Sequence, residues 1–288
     1  MKKILLGIFL ILGMISCKNN PKDKVQEALV EKPKVKLHVL DGGTVQVNML
    51  EIFSEEMQLY KGESKTFCDA FYVIEHPNGV MVWDAGLPES LAGLPEPYTT
   101  PDGAFTVSRK DSLKNQLEAI NVNINDIKYL GLSHTHFDHI GTANAFAHAT
   151  WLVQENEYNF VHSDSQKVQQ PDIYNAIKEL KNVKKLHGDL DVFGDGTVVI
   201  KYMPGHTIGH QVLYLDLGLE KPILLTGDMY HFEENRENKV APMFNYDIPQ
   251  TKASMEQFEN FAKEQNAMVF IQHSPKDFER LKEVLKKN

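Results

Sequence analysis

Two kinds of periodicity predict an α/β or α+β fold: strand patterns come first, and strands then alternate with helical patterns. Residues 35–47 and 66–84 alternate or run apolar, and His76-Pro77-Asn78-Gly79 interrupts the second stretch as a strong hairpin turn. Both stretches read as antiparallel sheet. Leu113, Leu117 and Ile120 recur at helical spacing behind Ser108, which reads as their cap, and residues 141–149 are rich in helix formers. Phe258, Phe261 and Ala262 repeat the spacing in a segment beginning near Pro249, and Leu281 and Leu285 mark a last helix. Four short apolar runs, 127–132, 197–202, 222–227 and 267–272, read as buried strands. A hydrophobic content of 42% in 288 residues supplies the core of one catalytic domain, residues 35–288.

The first residues carry a different signal. Lys2 and Lys3 precede an apolar run at 4–15, too short for the roughly 20 residues of a membrane span. Residues 1–16 therefore read as a secretory signal. Ser16 followed by Cys17 resembles a bacterial lipoprotein cleavage site, with Met14 where leucine is usual, and Cys17 is the lipidation candidate. Residues 17–34, polar and lysine-rich with Pro21 and Pro33, read as a tether. The expectation is an exported lipoprotein of a bacterial envelope, touching membrane through its lipid alone. Cys68 is then left unpaired and reads as a core residue. The formal charge of −9 becomes −11 once Lys2 and Lys3 are removed, which argues against a nucleic-acid surface.

The chemistry concentrates in Ser133-His134-Thr135-His136-Phe137-Asp138-His139, where four potential ligands crowd one turn at the end of the 127–132 strand. Three later strand ends repeat the context. His206 sits in a Pro-Gly turn after 197–202 and is favoured over His210; Asp228 follows 222–227; His273 follows 267–272. Imidazole and carboxylate suit zinc and its first-row neighbours, and seven such ligands exceed one tetrahedral ion but fit two ions sharing a bridge. That combination points to a binuclear hydrolase.

With these residues in place the chain resembles the metallo-β-lactamase fold superfamily, and within it the N-acyl homoserine lactonases. The resemblance extends over most of 35–288. It includes Leu37-His38-Val39-Leu40-Asp41-Gly42-Gly43-Thr44, Val80-Met81-Val82-Trp83-Asp84-Ala85-Gly86 and Pro204-Gly205-His206-Thr207-Ile208-Gly209-His210-Gln211. It implies an αββα sandwich with metals at one edge between the sheets. It also implies that His134, His136 and His206 hold one ion, that Asp138, His139 and His273 hold the other, and that Asp228 bridges them. Zinc is the usual metal there, and iron, manganese or cobalt fit the same ligands.

The implied reaction is attack on a lactone carbonyl by a hydroxide shared between the metals. Asp138 is the expected proton carrier to the leaving oxygen, and Phe137 a wall of the substrate pocket. One departure stands out: many of these lactonases carry tyrosine three positions after the bridging aspartate, where this chain has His231, with Tyr230 one residue earlier. Either side chain could donate to the developing oxyanion. Loops 55–63 and 86–103 are the expected cavity walls, and His210, Asp41, Asp69 and Asp84 the candidates to orient ligands. His38, His76, His148, His162 and His187 are expected to take no part. A small ester or lactone is the expected partner, and a homodimer is admitted. The competing expectations are a thioester hydrolase of the glyoxalase II type, which needs a cationic pocket, and a lipid-anchored protein that binds metal without catalysis.

Overall fold

The structure, a computed structural model, describes residues 33–287, so the signal segment, Cys17 and all but the last two residues of the tether lie outside the described residues. Eight strands form the first sheet: β1 (Lys36–Val47), β2 (Lys65–His76), β3 (Gly79–Trp83), β4 (Tyr98–Thr99), β5 (Phe105–Ser108), β6 (Ile127–Gly131), β7 (Thr150–Gln154) and β8 (Val183–Leu186). Their spatial order is β4-β5-β1-β2-β3-β6-β7-β8. The hairpin at Pro77-Asn78 sets β2 against β3 in antiparallel register, Tyr72 opposite Trp83, whereas β3, β6, β7 and β8 run parallel. The second sheet consists of β9 (Leu190–Asp191), β10 (Val198–Tyr202), β11 (Gln211–Leu215), β12 (Ile223–Leu225) and β13 (Met268–Phe270), in the order β13-β12-β11-β10-β9.

Side chains alternate across a strand, so each sheet presents two apolar faces. On the first sheet Phe71, Val73, Val82, Leu130 and Trp151 pack with Leu113 and Leu117 of α1 (Leu113–Ala119). The opposite face, with Tyr72, Ile74, Met81 and Trp83, meets Val198, Ile200, Leu213, Leu215 and Leu225 of the second sheet. The outer face of that sheet, Val212, Leu224 and Val269, is covered by Met255, Phe258 and Ala262. The last three belong to a helix at Ile248–Glu264, capped by Asp247. The layers are thus helix, sheet, sheet, helix, the expected αββα sandwich. Truncating fully buried Phe258 to alanine would cost about 3–5 kcal/mol.

Four short helices lie between α1 and the capped helix over the second sheet, namely α2 (Glu155–Val161), α3 (Asp164–Gln169), α4 (Pro171–Ile177) and α5 (Glu233–Asn238); the capped helix is α6, and α7 (Pro275–Lys286) follows it. Two expectations are corrected here. Ser108 ends β5 opposite Thr44, and the cap of α1 is Ser112, whose Oγ accepts from the Asn115 amide at 3.1 Å; only a residue directly before the first turn reaches those orphan amides. Residues 141–149 contribute a single 3-10 turn, Ala143–Phe146, rather than a full helix. A Cβ on Gly141 would stand 2.1 Å from the Leu87 carbonyl carbon, so the chain there is committed to packing on the 86–88 segment.

Candidate metal centre

All the ligand-bearing turns follow strand ends. The carboxyl end of β6 leads into His134–His139, the β10–β11 connection carries His206, the end of β12 gives Asp228 in a 3-10 turn, and the end of β13 gives His273. Gly227 makes the turn before Asp228 with φ of 49°, where a Cβ would meet His210 Nε2 at 2.8 Å and Ser133 Cβ at 2.9 Å.

The seven residues form two groups, each with its ligand atoms within 4.8 Å of one another: His134, His136, His206 and Asp228, and beside them Asp138, His139 and His273. In the first, His206 Nε2 lies 3.2 Å from His134 Nε2 and 3.0 Å from His136 Nδ1. Asp228 Oδ2 is 3.3 Å from His206 Nε2 and 3.5 Å from His134 Nε2. Its other oxygen, Oδ1, is 3.0 Å from both His139 Nε2 and His273 Nε2, which are themselves 3.2 Å apart. Asp138 completes that side at 3.9 Å from His139 and 3.8 Å from His273. One carboxylate thus faces both groups, one oxygen to each. Four ligands about 2.0–2.1 Å from a tetrahedral ion stand about 3.3–3.4 Å from one another, so the donors present fit two divalent ions.

The ring nitrogens turned away from this centre are fixed. His206 Nδ1 meets Asn245 Oδ1 at 2.9 Å, His139 Nδ1 meets Asp84 Oδ2 at 3.0 Å, His273 Nδ1 meets the Cys68 carbonyl at 2.9 Å, and His134 Nδ1 meets Ser133 Oγ at 3.0 Å. Such partners set tautomer and ring angle. Asp84 adopts a left-handed φ of 62°, unusual for a non-glycine, and is held there because its carboxylate also accepts from the Ser133 amide at 2.6 Å and Gln272 Nε2 at 2.7 Å. Burial and neighbouring imidazoles hold His134 and His136 well below the ordinary histidine pKa. Burial acts the same way on His139 and His273, but the carboxylates overcome it: Asp228, Asp84 and Asp138 lift His139 well above that value, and Asp228 and Asp138 lift His273 to about 9. Burial also opposes the charge of Asp228, and His139, His273 and His231 nevertheless keep its carboxyl well below the usual range.

A cavity of about 270 Å³ opens onto the ligands. Val45, Ile52, Phe53, Phe67, Phe105, Phe137 and Phe244 wall it, above His136, Asp138, Asp228, His231 and His273. The aromatic rings meet edge to face, Phe53 on Phe67 and on Phe244 at 5.3 Å each.

The model of the metallo-beta-lactamase superfamily matches residues 70–273, which span every one of these ligands. The chain belongs to that superfamily. It is 30% identical over 256 residues to the N-acyl homoserine lactonase AttM of Rhizobium radiobacter, covering 84% of this chain and 94% of that one. With the N-acyl homoserine lactonase AiiA of Bacillus thuringiensis subsp. kurstaki it shares 28% over 206 residues, 70% of this chain and 79% of the relative. A solved N-acyl homoserine lactone hydrolase, with the product N-hexanoyl-L-homoserine at its catalytic metal centre, superposes with a TM-score of 0.71 at 25% identity, over 86% of this chain and 96% of that one.

Within this superfamily member the expected ligands converge, and Phe137 lines the cavity. Two expectations are corrected, one for Tyr230 and one for the cavity walls. Tyr230 is fully buried against Phe258 in the core beneath α6 and is not among the cavity's lining residues, because the 3-10 turn at Asp228 sends it to the opposite side from His231. His231 does line the cavity, but its Nε2 lies 3.0 Å from Asp228 Oδ2, and burial lowers its pKa to about 4, so the ring is neutral with one proton to give. Of the two candidate donors, His231 is therefore the one that faces the cavity. Loops 55–63 and 86–103 contribute none of the lining residues; the walls come from Ile52, Phe53 and Phe105, just outside them.

His210 supports the bridge from behind, its Nε2 accepting from the Asp228 amide at 3.0 Å. Asp41 instead accepts from the Gly43 amide in its own turn. Asp69 is buried with neither oxygen hydrogen-bonded, and burial together with the Asp138 charge pushes its carboxyl well above the ordinary range. Cys68 is free and half-buried, and acts through its backbone carbonyl on His273. His38, His76 and His148 bond to Glu75, Asp195 and the Ile124 carbonyl, away from the ligands. Sequence reasoning missed Phe53, Phe67, Phe105, Phe244, Asn245 and Gln272, none of which carries a local motif.

Proposed function

We propose that the protein is a two-metal hydrolase that opens the lactone ring of N-acyl homoserine lactones. The observation that carries this reading is Asp228 joining two ligand sets at the floor of an apolar, aromatic cavity, an arrangement suited to an ester with a hydrocarbon tail. Its lactonase relatives, matched over most of their length, support the same substrate. His134, His136 and His206 would hold one divalent ion and Asp138, His139 and His273 another, with Asp228 between them, and bound zinc would supply water of lowered pKa, from about 15.7 toward about 7, and Lewis acidity toward the ester carbonyl. The chain's own residues do the rest. Asp138, looser against its histidines than Asp228 and exposed to the cavity, is placed to carry a proton to the leaving alkoxide. His231 orients Asp228, and Phe137 with Phe105, ring centroids 5.9 Å apart, forms the wall along which an acyl chain lies.

A glutathione thioester hydrolase is disfavoured, since its substrate's carboxylates call for basic side chains and, among the described residues, no lysine or arginine lines the cavity. A hydrolysis panel tests the choice, with acyl homoserine lactones of graded chain length, simple lactones, S-lactoylglutathione and a cephalosporin. Ring opening of the acyl homoserine lactones is expected to dominate; turnover confined to the last two compounds would overturn the assignment. We also propose that the chain is exported and lipidated at Cys17, which mass spectrometry of the N-terminal peptide checks: an unmodified Cys17 still preceded by residue 16 contradicts it.

A further inference from the structure

Glu157 is a buried carboxylate in the first turn of α2, only 2% exposed, and it touches neither substrate cavity wall nor ligand ring by a hydrogen bond. Its Oε1 accepts from the Thr135 amide at 3.1 Å and from Thr135 Oγ1 at 2.6 Å. Its Oε2 accepts from the Gly209 amide at 2.8 Å. Thr135 lies between His134 and His136, and Gly209 stands three residues past His206. One side chain therefore ties together the two turns that carry the three-histidine set.

The fit is close on both sides. A Cβ on Gly209 would lie 2.4 Å from Glu157 Cβ, so only glycine lets that turn approach the helix. The neighbouring Asn156 adds a second tie, its Nδ2 donating to the Ile208 carbonyl at 2.6 Å. Burying a carboxylate is costly unless donors surround it, and here three donors, all from the ligand turns, meet its two oxygens. The other ligand set has a separate support: Asp84 holds the His139 ring directly. None of the three Glu157 hydrogen bonds reaches His139, Asp138 or His273.

We propose that Glu157 is a positioning residue for the ion held by His134, His136 and His206, and that its loss loosens that ion selectively while the ion of Asp138, His139 and His273 is retained. This rests on the two-metal reading above. Outer partners of this kind typically set metal affinity by about ten- to hundredfold.

The test uses the full-length chain loaded with Co²⁺ alone and dialysed against a rising concentration of chelator. Bound ions are counted at each step, the visible absorption of the bound cobalt is recorded, and the melting temperature of the metal-free chain is measured. Glu157→Gln keeps the size of the side chain but puts an amide NH₂ against either the Thr135 or the Gly209 N–H. The expected result is release of one ion at about ten- to hundredfold lower chelator, the second holding as in the parent, while the metal-free melting temperature falls by only a few degrees, about the cost of one buried donor facing a donor. His206→Ala, which removes a ligand from the three-histidine set alone, identifies the absorption band of the ion that leaves first. Equal loosening of both ions, loosening of the other ion, or no change overturns the proposal. Should Glu157→Gln fail to fold, Thr135→Val removes only the 2.6 Å hydroxyl bond and is read by the same criteria, with a smaller selective shift expected. A parent protein that never holds two ions would instead refute the two-metal reading, and the parent titration alone reveals that.

Discussion

His134 and half-buried His136 on one side of Asp228, and buried His139 and His273 on the other, sit within one centre, yet their proton affinities move in opposite directions. Burial disfavours charge on all four rings. The difference comes from carboxylates facing the rings: Asp84 and Asp138 stand against His139 and His273, whereas the three-histidine rings face only their share of Asp228, Asn245 meeting His206 as a neutral partner and the Glu157 carboxylate being taken up by Thr135 and Gly209. The comparison teaches that a nearly symmetric pair of ligand sets can be asymmetric in charge, with neutral donors ready on one side and proton-bearing donors on the other.

Removing the shared element erases the comparison altogether. Asp228→Ala is expected to abolish binding of the ion pair and to lower turnover by about 10⁴-fold, the scale on which loss of a central catalytic group acts. Metal analysis alongside kinetics checks it, and a variant still holding two ions would remove Asp228 from its bridging position. Two milder substitutions sharpen the contrast. Asp84→Asn takes charge from behind His139 and is expected to weaken the ion of that side by about ten- to hundredfold. Asn245→Ala removes a neutral partner of His206, and its effect on the three-histidine ion should stay within about tenfold, the worth of one uncharged hydrogen bond. Chelator titrations of both variants rank them; a larger loss from Asn245→Ala would mean that ring angle, not charge, dominates at these sites.

The metal ligands were legible because the chemistry forces them to strand ends, and strand ends announce themselves as apolar runs closing in Gly, Pro or a polar turn. Four such runs, each followed by His or Asp, carried the candidate ligands, whereas the αββα architecture and the division of the ligands between two ions came from the resemblance to the metallo-β-lactamase superfamily. The cavity was not legible. Phe53, Phe67, Phe105 and Phe244 come from four separate segments, and each taken alone is indistinguishable from a core aromatic, whereas loops rich in proline and charge stand out in the sequence without lining the cavity. The pair Tyr230 and His231 shows a finer limit: adjacent residues after a turn face opposite ways, and only the 3-10 geometry at Asp228 decides which one meets the cavity. Glu157 had a faint signal, an acidic residue in a helix that opens directly behind the buried strand β7, but helix first turns favour acids for their own dipole, and the buried role is hidden behind that commoner reason.

The smallest effect follows from the charge asymmetry itself. In the metal-free chain the His273 ring stays protonated up to a pH of about 9, because Asp228 and Asp138 stabilise its cationic form against burial. A ring whose folded pKa is raised adds stability below the ordinary histidine value near pH 6.5 and loses it as pH climbs through about 9, so the metal-free chain should soften over that interval. Metal binding requires the neutral ring, and the ion must displace this proton, as also at His139. His134 and His136, held low by burial, have none to give at neutral pH. Calorimetric titration with Zn²⁺ at pH 7 in buffers of different ionisation enthalpy should therefore show proton release on filling the Asp138, His139 and His273 set and little on filling the other, and the released fraction should fall as the pH is raised past 9. Equal release from both sets would show that the carboxylates do not distinguish the two halves of the centre.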